Sequence, residues 1–273
     1  MNRRQFLSSA TGVAVAAGVG GVCYSGLEAG WVQIDRREVA VPRLPAAFRG
    51  TRVAFLTDIH HGPYTDLGYV SSVVRTTNLL APDLVILGGD YSLRDAKYIG
   101  PCLEVLAELR APMGVFGVLG NHDYWHGEAE TRSGLLSAKV TELTNRGVWF
   151  ERGGDRFRLA GIDDLWAGDP DVSAAVGEAG RKDACVLVSH NPDVAETLFL
   201  PAVGLVLSGH THGGQILFPG VGAPWTPSRY GQKYLRGMVD APATKVFVSR
   251  GLGVAAVPGR IGSRPEINVL TLV

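Results

Sequence analysis

The amino-acid sequence of 273 residues predicts an α/β fold, and three features of its pattern lead to that class. Short apolar runs rich in Val, Ile and Leu are typical of strands covered on both faces. Between them lie segments whose apolar residues recur three and four positions apart, as in amphipathic helices. The runs also end repeatedly in Asp, Asn or His. No repeat or long linker interrupts the chain after residue 52, so we expect one domain over residues 48–273.

The elements are assigned from these patterns in chain order. The predicted strands are Val53–Thr57, Leu84–Leu87, Val115–Leu119, Phe157–Ala160, Cys185–Ser189, Leu205–Leu207, Val246–Ser249 and Ile267–Leu272. The predicted helices are Tyr69–Leu80, Pro101–Leu109, Ser133–Arg146 and Val172–Ala179. Strands and helices alternate along most of the chain, which favours layered sheets flanked by helices.

The composition excludes several classes of protein. Lys plus Arg total 26 and Asp plus Glu total 26, so the formal net charge is zero, while 46% of the residues are hydrophobic. Neither a disordered tail nor a polybasic nucleic-acid binder has this balance, and we expect no extended nucleic-acid binding. Glycine is frequent, at 36 residues, but shows no period. This indicates many tight turns, or backbone that approaches a ligand closely.

The first thirty residues predict an export signal. Arg3-Arg4 is followed by Gln5-Phe6-Leu7, a pattern that resembles a twin-arginine signal, and no charged residue occurs from Gln5 to Leu27. That stretch is also long enough to span a bilayer if it is not cleaved. A cleaved signal and a membrane anchor therefore both remain open. In either case we expect export to the periplasm or cell envelope, with the twin-arginine machinery as a partner.

Polar residues follow five of the predicted strands. The segments at these strand ends are Asp58-Ile59-His60, Gly89-Asp90, Gly120-Asn121-His122-Asp123, His190 and Gly209-His210-Thr211-His212. In open α/β sheets the functional site lies at the carboxyl ends of the strands. All seven histidines of the chain fall in or beside these five segments. The sequence therefore predicts one site supplied by five loops.

The residue types in this set predict a metal centre. Asp, Asn and imidazole without thiolate suit Mn, Fe, Zn or Co better than calcium or copper(I). Asp58 and His60 are two residues apart, so extended backbone points both side chains the same way, and His210 and His212 repeat that spacing. The carboxylate of Asp90 can bridge two cations. Seven ligands with one shared would give four protein contacts to each of two metal ions.

These segments, in this order and at this spacing, resemble the calcineurin-like metallophosphoesterase superfamily. The resemblance covers the chain from about Arg52 to its end. Further matches resemble the exported YkuE/YaeI-like branch, namely Gly213-Gly214-Gln215, Ser249-Arg250-Gly251-Leu252-Gly253, Arg260 and Arg264-Pro265-Glu266-Ile267. The resemblance implies a four-layer α/β/β/α sandwich with two facing mixed sheets.

The resemblance also implies roles for the site residues. One divalent metal ion would be held by Asp58, His60, Asp90 and His212, and the other by Asp90, Asn121, His190 and His210. His122 would face the substrate, and Asp123 would orient the His122 ring. The metals would be Mn, Zn or Fe. Two divalent cations carry four positive charges, and two carboxylates and a bridging hydroxide carry three negative ones. The remaining single positive charge matches a phosphodiester monoanion. The implied activity is hydrolysis of a P–O bond by a metal-bridging hydroxide, as in a phosphodiesterase.

Several weaker expectations complete the prediction. His61, Arg250 and Tyr230 are candidate substrate-binding residues, and His126 is expected to pack at the rim of the site. Cys102 and Cys185 are expected to be buried free thiols, although a disulfide stays open in an oxidising compartment. A lipid-linked phosphate ester and membrane association are open as well.

Two rival functions share parts of this pattern. One is a pyrophosphatase of the UDP-2,3-diacylglucosamine type, which the export signal disfavours because that substrate is cytoplasmic. The other is a non-catalytic metal-binding scaffold, which is disfavoured because no expected ligand is missing.

Overall fold

The computed structural model describes residues 20–197 and 202–273. Arg3, Arg4 and most of the predicted export signal therefore lie outside the described residues. Residues 20–29 form helix α1. Within the two described ranges, no helix combines the length and apolar character needed to cross a bilayer.

The described residues form two six-stranded mixed sheets. The strands are β1 Gln33–Val39, β2 Arg52–Leu56, β3 Leu84–Leu87, β4 Val115–Gly117, β5 Thr141–Glu142, β6 Arg146–Arg152, β7 Asp155–Gly161, β8 Ala184–Val188, β9 Val203–Ser208, β10 Gly237–Asp240, β11 Lys245–Val248 and β12 Glu266–Leu272. The first sheet has the order β1-β12-β2-β3-β4-β5, and the second has the order β10-β11-β9-β8-β7-β6. In the first sheet β2, β3 and β4 run parallel, as do β7, β8 and β9 in the second.

Helices and sheets form the four layers that the resemblance implied. The inner faces of the two sheets pack on each other through side chains such as Phe55, Ile86, Leu159 and Leu207. Helices α2 (Leu67–Leu79), α3 (Ile99–Leu106) and α4 (Asn121–Ser137) cover the outer face of the first sheet. The short helix α5 (Val172–Val176) covers part of the second. Strands buried on both faces explain why the sequence shows continuous apolar runs rather than alternation.

The structure corrects one predicted helix. The segment Ser133–Arg146 was expected to be a single helix, but α4 ends at Ser137 and the chain then enters β5 and β6. Conversely, α4 begins at Asn121, far ahead of the predicted start. Its first turns carry His, Trp and Tyr without a 3.6-residue apolar period and include the non-helical Gly127, so no periodicity marks them as a helix.

Strand β1 was not predicted, and it extends the fold ahead of residue 48, where the domain was expected to start. Its residues pair with β12 in parallel along all seven positions, from Gln33 opposite Glu266 to Val39 opposite Leu272. The run Asp35-Arg36-Arg37-Glu38 hides this strand from a hydrophobicity pattern, because β1 lies at the edge of the sheet and most of its side chains face solvent.

The two internal cysteines, Cys102 and Cys185, are buried free thiols. Cys102 packs under the helices of the first sheet, and Cys185 packs on the outer face of the second. They therefore lie on opposite sides of the core, and no disulfide can join them.

Candidate metal centre

One group of metal-binding atoms gathers around Asp58, His60 and His212. The Nε2 atoms of His60 and His212 are 3.1 Å apart, and Nε2 of His212 lies 3.3 Å from Oδ1 of Asp58. Nε2 of His60 is also 3.4 Å from Oδ2 of Asp90. Asp58 and His60 follow β2, whereas His212 follows β9 in the other sheet. The group therefore joins the ends of strands from both sheets.

A second group forms on the other side of the Asp90 carboxylate. Nε2 of His190 lies 3.2 Å from Oδ2 of Asp90 and 3.2 Å from Nδ1 of His210. Nδ1 of His190 points away and is 2.7 Å from the carbonyl oxygen of Gly88, which fixes the ring with Nε2 toward Asp90. One oxygen atom, Oδ2 of Asp90, is thus common to both groups.

The arrangement fits divalent cations. Two nitrogen ligands bound to one ion at about 2.1 Å lie about 3.0–3.4 Å apart, and the observed separations between ligand atoms are of that size. Oδ1 of Asn121 and Nε2 of His210 are buried without a hydrogen-bond partner in the described structure. Buried polar atoms without partners are costly in a folded protein, and a cation would satisfy the oxygen of Asn121. The side chains brought together here are therefore suited to a metal centre.

The backbone at this centre is held in an uncommon conformation. Five of the seven predicted ligands have a positive φ, a region that non-glycine residues rarely adopt; they are Asp58, His60, Asp90, His210 and His212, with φ between 48° and 69°. Each such residue costs about 1–3 kcal/mol and persists only where the surroundings enforce it. Strand ends that turn in this way aim successive side chains into one space, and the sequence pattern gives no sign of the strain.

Glycine lets the loops approach the ligands closely. A Cβ atom on Gly209 would lie 2.2 Å from Oδ2 of Asp58, nearer than any side chain can come. The amide of the next residue, His210, donates to both oxygens of the Asp58 carboxylate at 3.0 Å. Part of the glycine excess noted in the sequence therefore holds the carboxylate in place.

Burial and neighbouring charges set the protonation of the centre. Burial raises the pKa of Asp58 to about 6 and lowers the pKa of His60 to about 3. Burial also holds the pKa of His210 and His212 well below the ordinary value, so these rings stay neutral, as metal ligands must be. Burial alone would lower the pKa of His190, but the adjacent Asp90 carboxylate holds that pKa well above the ordinary value of histidine.

His122 lies beside the two groups and has a different partner from the one expected. Its backbone amide donates to Oδ1 of Asp90 at 2.9 Å, and its ring packs edge-on to His60 with 4.8 Å between the ring centres. Nδ1 of His122 is 3.1 Å from Nε2 of His126. Asp123 was expected to orient this ring, but adjacent residues of a helix point in different directions.

Asp123 instead fixes the loop that carries Asp90. Its carboxylate accepts hydrogen bonds from the backbone amides of Asp90, Tyr91 and Gly120, at 2.7, 2.9 and 2.9 Å. Burial and then the charge of Asp90 raise its pKa to about 7, against the effect of these donors. The side chain thus ties β3's loop to the start of α4.

The three candidate substrate-binding residues, His61, Arg250 and Tyr230, have other partners in the structure. Nδ1 of His61 faces the carbonyl oxygen of Thr65 at 2.8 Å, and the ring is nearly buried. Arg250 pairs with the carboxylate of Glu266, with Nε 2.6 Å from Oε2. Tyr230 lies on the surface with its ring edge-on to that of Tyr234. The structure does not bring these side chains to the metal-binding groups.

Two further residues reach the centre: Trp166, which the sequence analysis did not select, and Arg260, which it noted without a role in the site. The Trp166 ring stands edge-on to His210, with 4.3 Å between the ring centres. Trp166 follows β7, and since β7 is a parallel neighbour of β8, its end loop lies at the same edge. The fully buried Arg260 places Nη2 3.3 Å from Nδ1 of His212 and donates from Nε to the carbonyl oxygen of Gly253. Arg260 thus supports the ligand loop from behind.

The structure thus brings together, at the strand ends of both sheets, the carboxylates, imidazoles and amide that the resemblance to metal-dependent phosphoester hydrolases implied. The profile of the calcineurin-like phosphoesterase family matches residues 51–214, and the chain belongs to that family.

Relatives match over the full length of the chain. The metallophosphoesterase YkuE of Bacillus subtilis (strain 168), described as uncharacterized, is 34% identical over 281 residues, covering 100% of this chain and 98% of its own. The phosphodiesterase YaeI of Escherichia coli (strain K12) is 32% identical over 278 residues and covers 100% of both chains. Among solved structures, the 5'-nucleotidase precursor from Thermus thermophilus covers 81% of this chain and 54% of its own, at 14% identity and a TM-score of 0.47. The chain is a metallophosphoesterase that hydrolyses phosphoric esters.

Proposed function

We propose that the protein is a dinuclear metal-dependent phosphodiesterase. The observation that carries this proposal is the single oxygen, Oδ2 of Asp90, that belongs to both groups of ligand atoms. One group comprises Asp58, His60, Asp90 and His212, and the other comprises Asp90, Asn121, His190 and His210. When bound there, two cations of Mn, Zn or Fe supply hydroxide at neutral pH and neutralise phosphoryl oxygens.

The residues of the chain hold the His122 ring in position, and that ring supplies a proton. The Asp90 backbone is fixed by Asp123, and the His122 backbone is fixed by Asp90, so the ring of His122 is held relative to the shared ligand. The Nδ1 side of His122 faces His126. Nε2 is left to face the substrate, where it stabilises the charged phosphoryl group or donates a proton to the leaving oxygen.

A diester fits the charge of this centre better than a monoester. Asp58 and Asp90 contribute two negative charges, so two divalent cations and a hydroxide leave one net positive charge. A phosphodiester monoanion neutralises it, whereas a monoester dianion exceeds it. The name of the relative YaeI, a phosphodiesterase, agrees with this choice.

The substitution Asp90→Asn tests whether the two sites share a ligand. It keeps the shape of the side chain but removes the charge, so we expect both metals to bind more weakly together. The measurement is metal content per chain after dialysis against Mn²⁺, with the exposed Asp240→Asn as a matched control. Loss of one metal with full retention of the other contradicts the bridging role.

Turnover is tested on the same preparations. The chain is stripped of metal, reloaded with Mn, Zn or Fe, and offered matched phosphomonoester, phosphodiester and lipid-pyrophosphate substrates. We expect the diester to be hydrolysed fastest. Release of UMP from UDP-2,3-diacylglucosamine at a higher rate favours the pyrophosphatase instead, and no hydrolysis with any metal counts against this function.

We propose further that the protein acts in the cell envelope after export through the twin-arginine machinery. The support is Arg3-Arg4 ahead of an uncharged stretch in the sequence. The double substitution Arg3→Lys and Arg4→Lys keeps the charge and should leave the protein in the cytoplasm, as measured by cell fractionation. An unchanged distribution contradicts this route.

A further inference from the structure

A cavity of about 610 Å³ opens directly above the candidate metal centre. Its floor is polar and includes Asp90, Asn121, His122 and His210. Its walls are mostly apolar, and three of the five tryptophans of the chain contribute to them: Trp125, Trp166 and Trp225. A space of this size holds far more than a phosphate group.

The apolar side chains of the walls are exposed to an unusual degree. Trp225 is 63% exposed, Trp125 is 55% exposed, and Val257 is 42% exposed. Clustered exposed apolar groups beside a functional site mark a surface that another apolar group covers. Trp125 also packs edge-on to the ring of His122, so the apolar wall begins at the floor.

Two polar side chains of the walls, Gln215 and Thr211, are already occupied. Both atoms of the Gln215 amide are used: Nε2 donates to the carbonyl oxygens of Val257 and Gly259, and Oε1 accepts from the amide of Ala255. The hydroxyl of Thr211 donates to the carbonyl oxygen of Leu235. Among the described wall residues, Arg94 is the one cationic side chain.

The hydrogen bonds already made by these wall side chains affect which ligands the cavity can bind. A nucleobase or a sugar would bring polar edges into the cavity, and those edges would gain no partner in Gln215 or Thr211. An apolar group needs no such partner and covers the tryptophans. The mostly apolar walls therefore favour a long apolar group.

We propose that the cavity binds phosphate esters in which one esterified group is long and apolar. The phosphate lies over the floor of Asp90 and His122, and the apolar group lies along the wall of Trp166 and Trp225. The proposal rests on the function proposed above and specifies its substrate class.

The position of helix α1 indicates where such a substrate would come from. The carbonyl oxygen of Ser25 accepts from the amide of Arg260 at 3.0 Å, and the carboxylate of Glu28 accepts from the amide of Ser263 at 2.9 Å. The helix thus docks on the segment that follows the Val257 wall, with Val22 and Leu27 exposed. The sequence ahead of it is uncharged back to Gln5. The exposed Val22 and Leu27 of this helix favour substrate taken from a bilayer over substrate taken from solution.

The first test compares two diesters that differ in the apolar group alone. Glycerol methyl phosphate and glycerol decyl phosphate are offered to the Mn²⁺-loaded full chain, and the products are measured by mass spectrometry. We expect kcat/KM to be at least about tenfold higher for the decyl ester, the factor that burying about two methylene groups supplies. A ratio near one overturns the proposal while the phosphodiesterase function stands.

Two substitutions in the wall locate the preference. Trp225→Ala and, as a second variant, Val257→Ser should each lower the decyl-to-methyl ratio. Trp149→Ala is the matched control, because Trp149 lies on β6 outside the cavity and should leave the ratio unchanged. A ratio that neither wall substitution changes overturns the placement of the apolar group.

A binding measurement keeps the proposal independent of turnover. Decyl phosphate should bind the metal-loaded chain at least about tenfold more tightly than methyl phosphate by calorimetry, for the same reason of buried area. Equal dissociation constants overturn the proposal. If neither diester is hydrolysed but decyl phosphate binds preferentially, the cavity assignment is supported and the proposed function fails.

A last comparison distinguishes the two sources of the ligand. The decyl ester is presented either as a monomer or in phosphatidylcholine vesicles at the same total concentration. Faster turnover from vesicles identifies a bilayer source, and equal or faster turnover of the monomer identifies a soluble one. Either result supports the apolar substrate class, provided the decyl ester exceeds the methyl ester.

Discussion

At the scale of single residues, the proposed function assigns metal binding to Asp90 and contact with the substrate to His122. One oxygen of Asp90 belongs to both groups of ligand atoms, and the other accepts a hydrogen bond from the backbone amide of His122. The ligand atoms of His122, His60 and Asp90 lie within 4.8 Å of one another, so His122 is close enough to bind metal as well, and the proposed sets assign it to the substrate instead. Removing the His122 side chain therefore tests the proposed substrate-facing role against a role as metal ligand.

The substitution His122→Ala distinguishes these two roles. We expect the variant to retain both metals and to lose turnover by a factor on the order of 10²–10⁴, the usual contribution of a general acid or base. Metal content and kcat are measured on the same sample. Loss of metal from this variant contradicts a substrate-facing role, and unchanged turnover contradicts a catalytic one.

The sequence was sufficient to select the residues that the structure brings together at the candidate metal centre, but not to describe the shape of the cavity above it. Parallel strands bring their carboxyl ends to one edge, so Asp58, Asp90 and His190 could be placed together from strand order alone. Trp225 and Val257 reach the cavity through long irregular segments with no periodic pattern. The ion pair of Arg250 with Glu266 could not be predicted either, because a motif match does not show which side chain a residue contacts.

At the scale of elements, the site depends on tight turns at the strand ends. Gly89 lies between β3 and Asp90 with φ of +90°. A Cβ atom there would lie 2.4 Å from the backbone nitrogen of Gly120, in the turn that begins α4. Two loops therefore pass each other at backbone contact, and this contact sets the position of the shared ligand. The excess of glycine was visible in the sequence, but the contact partner was not.

Comparing Gly89→Ala with Gly50→Ala separates contact from conformation. Gly50 has φ of +83°, but a Cβ atom there would meet no other atom within 4 Å, so alanine should cost about 1–2 kcal/mol of unfolding free energy. Gly89→Ala adds a backbone clash, and we expect a loss of about 3 kcal/mol or more. Urea unfolding of the metal-free chains measures both. Equal losses would show that the contact with Gly120 has no energetic consequence.

At the scale of the whole molecule, the candidate metal centre joins the two sheets. Asp58, His60, Asp90 and Asn121 come from the first sheet's strand ends, whereas His190, His210 and His212 come from the second's. The shared core between the sheets is apolar and does not depend on the centre. Metal binding should therefore add to the stability of a fold that forms without it, because ligands that bind only the folded chain stabilise it by mass action.

The prediction at this scale is a thermal shift that depends on pH. At a Mn²⁺ concentration of 100 times its Kd, the stabilisation is about 2.7 kcal/mol, and Tm should rise by about 5–10 °C at pH 7.5. Burial raises the pKa of Asp58 to about 6 in the metal-free chain, and metal must displace that proton. Affinity should fall as pH drops through 6, so at pH 5 the same Mn²⁺ concentration should give a smaller shift.

Calorimetry checks this prediction with two variants. Asp240→Asn is the control and should keep the shift, whereas Asp90→Asn should lose it. An equal shift at both pH values would contradict Asp58 as a ligand that titrates near pH 6.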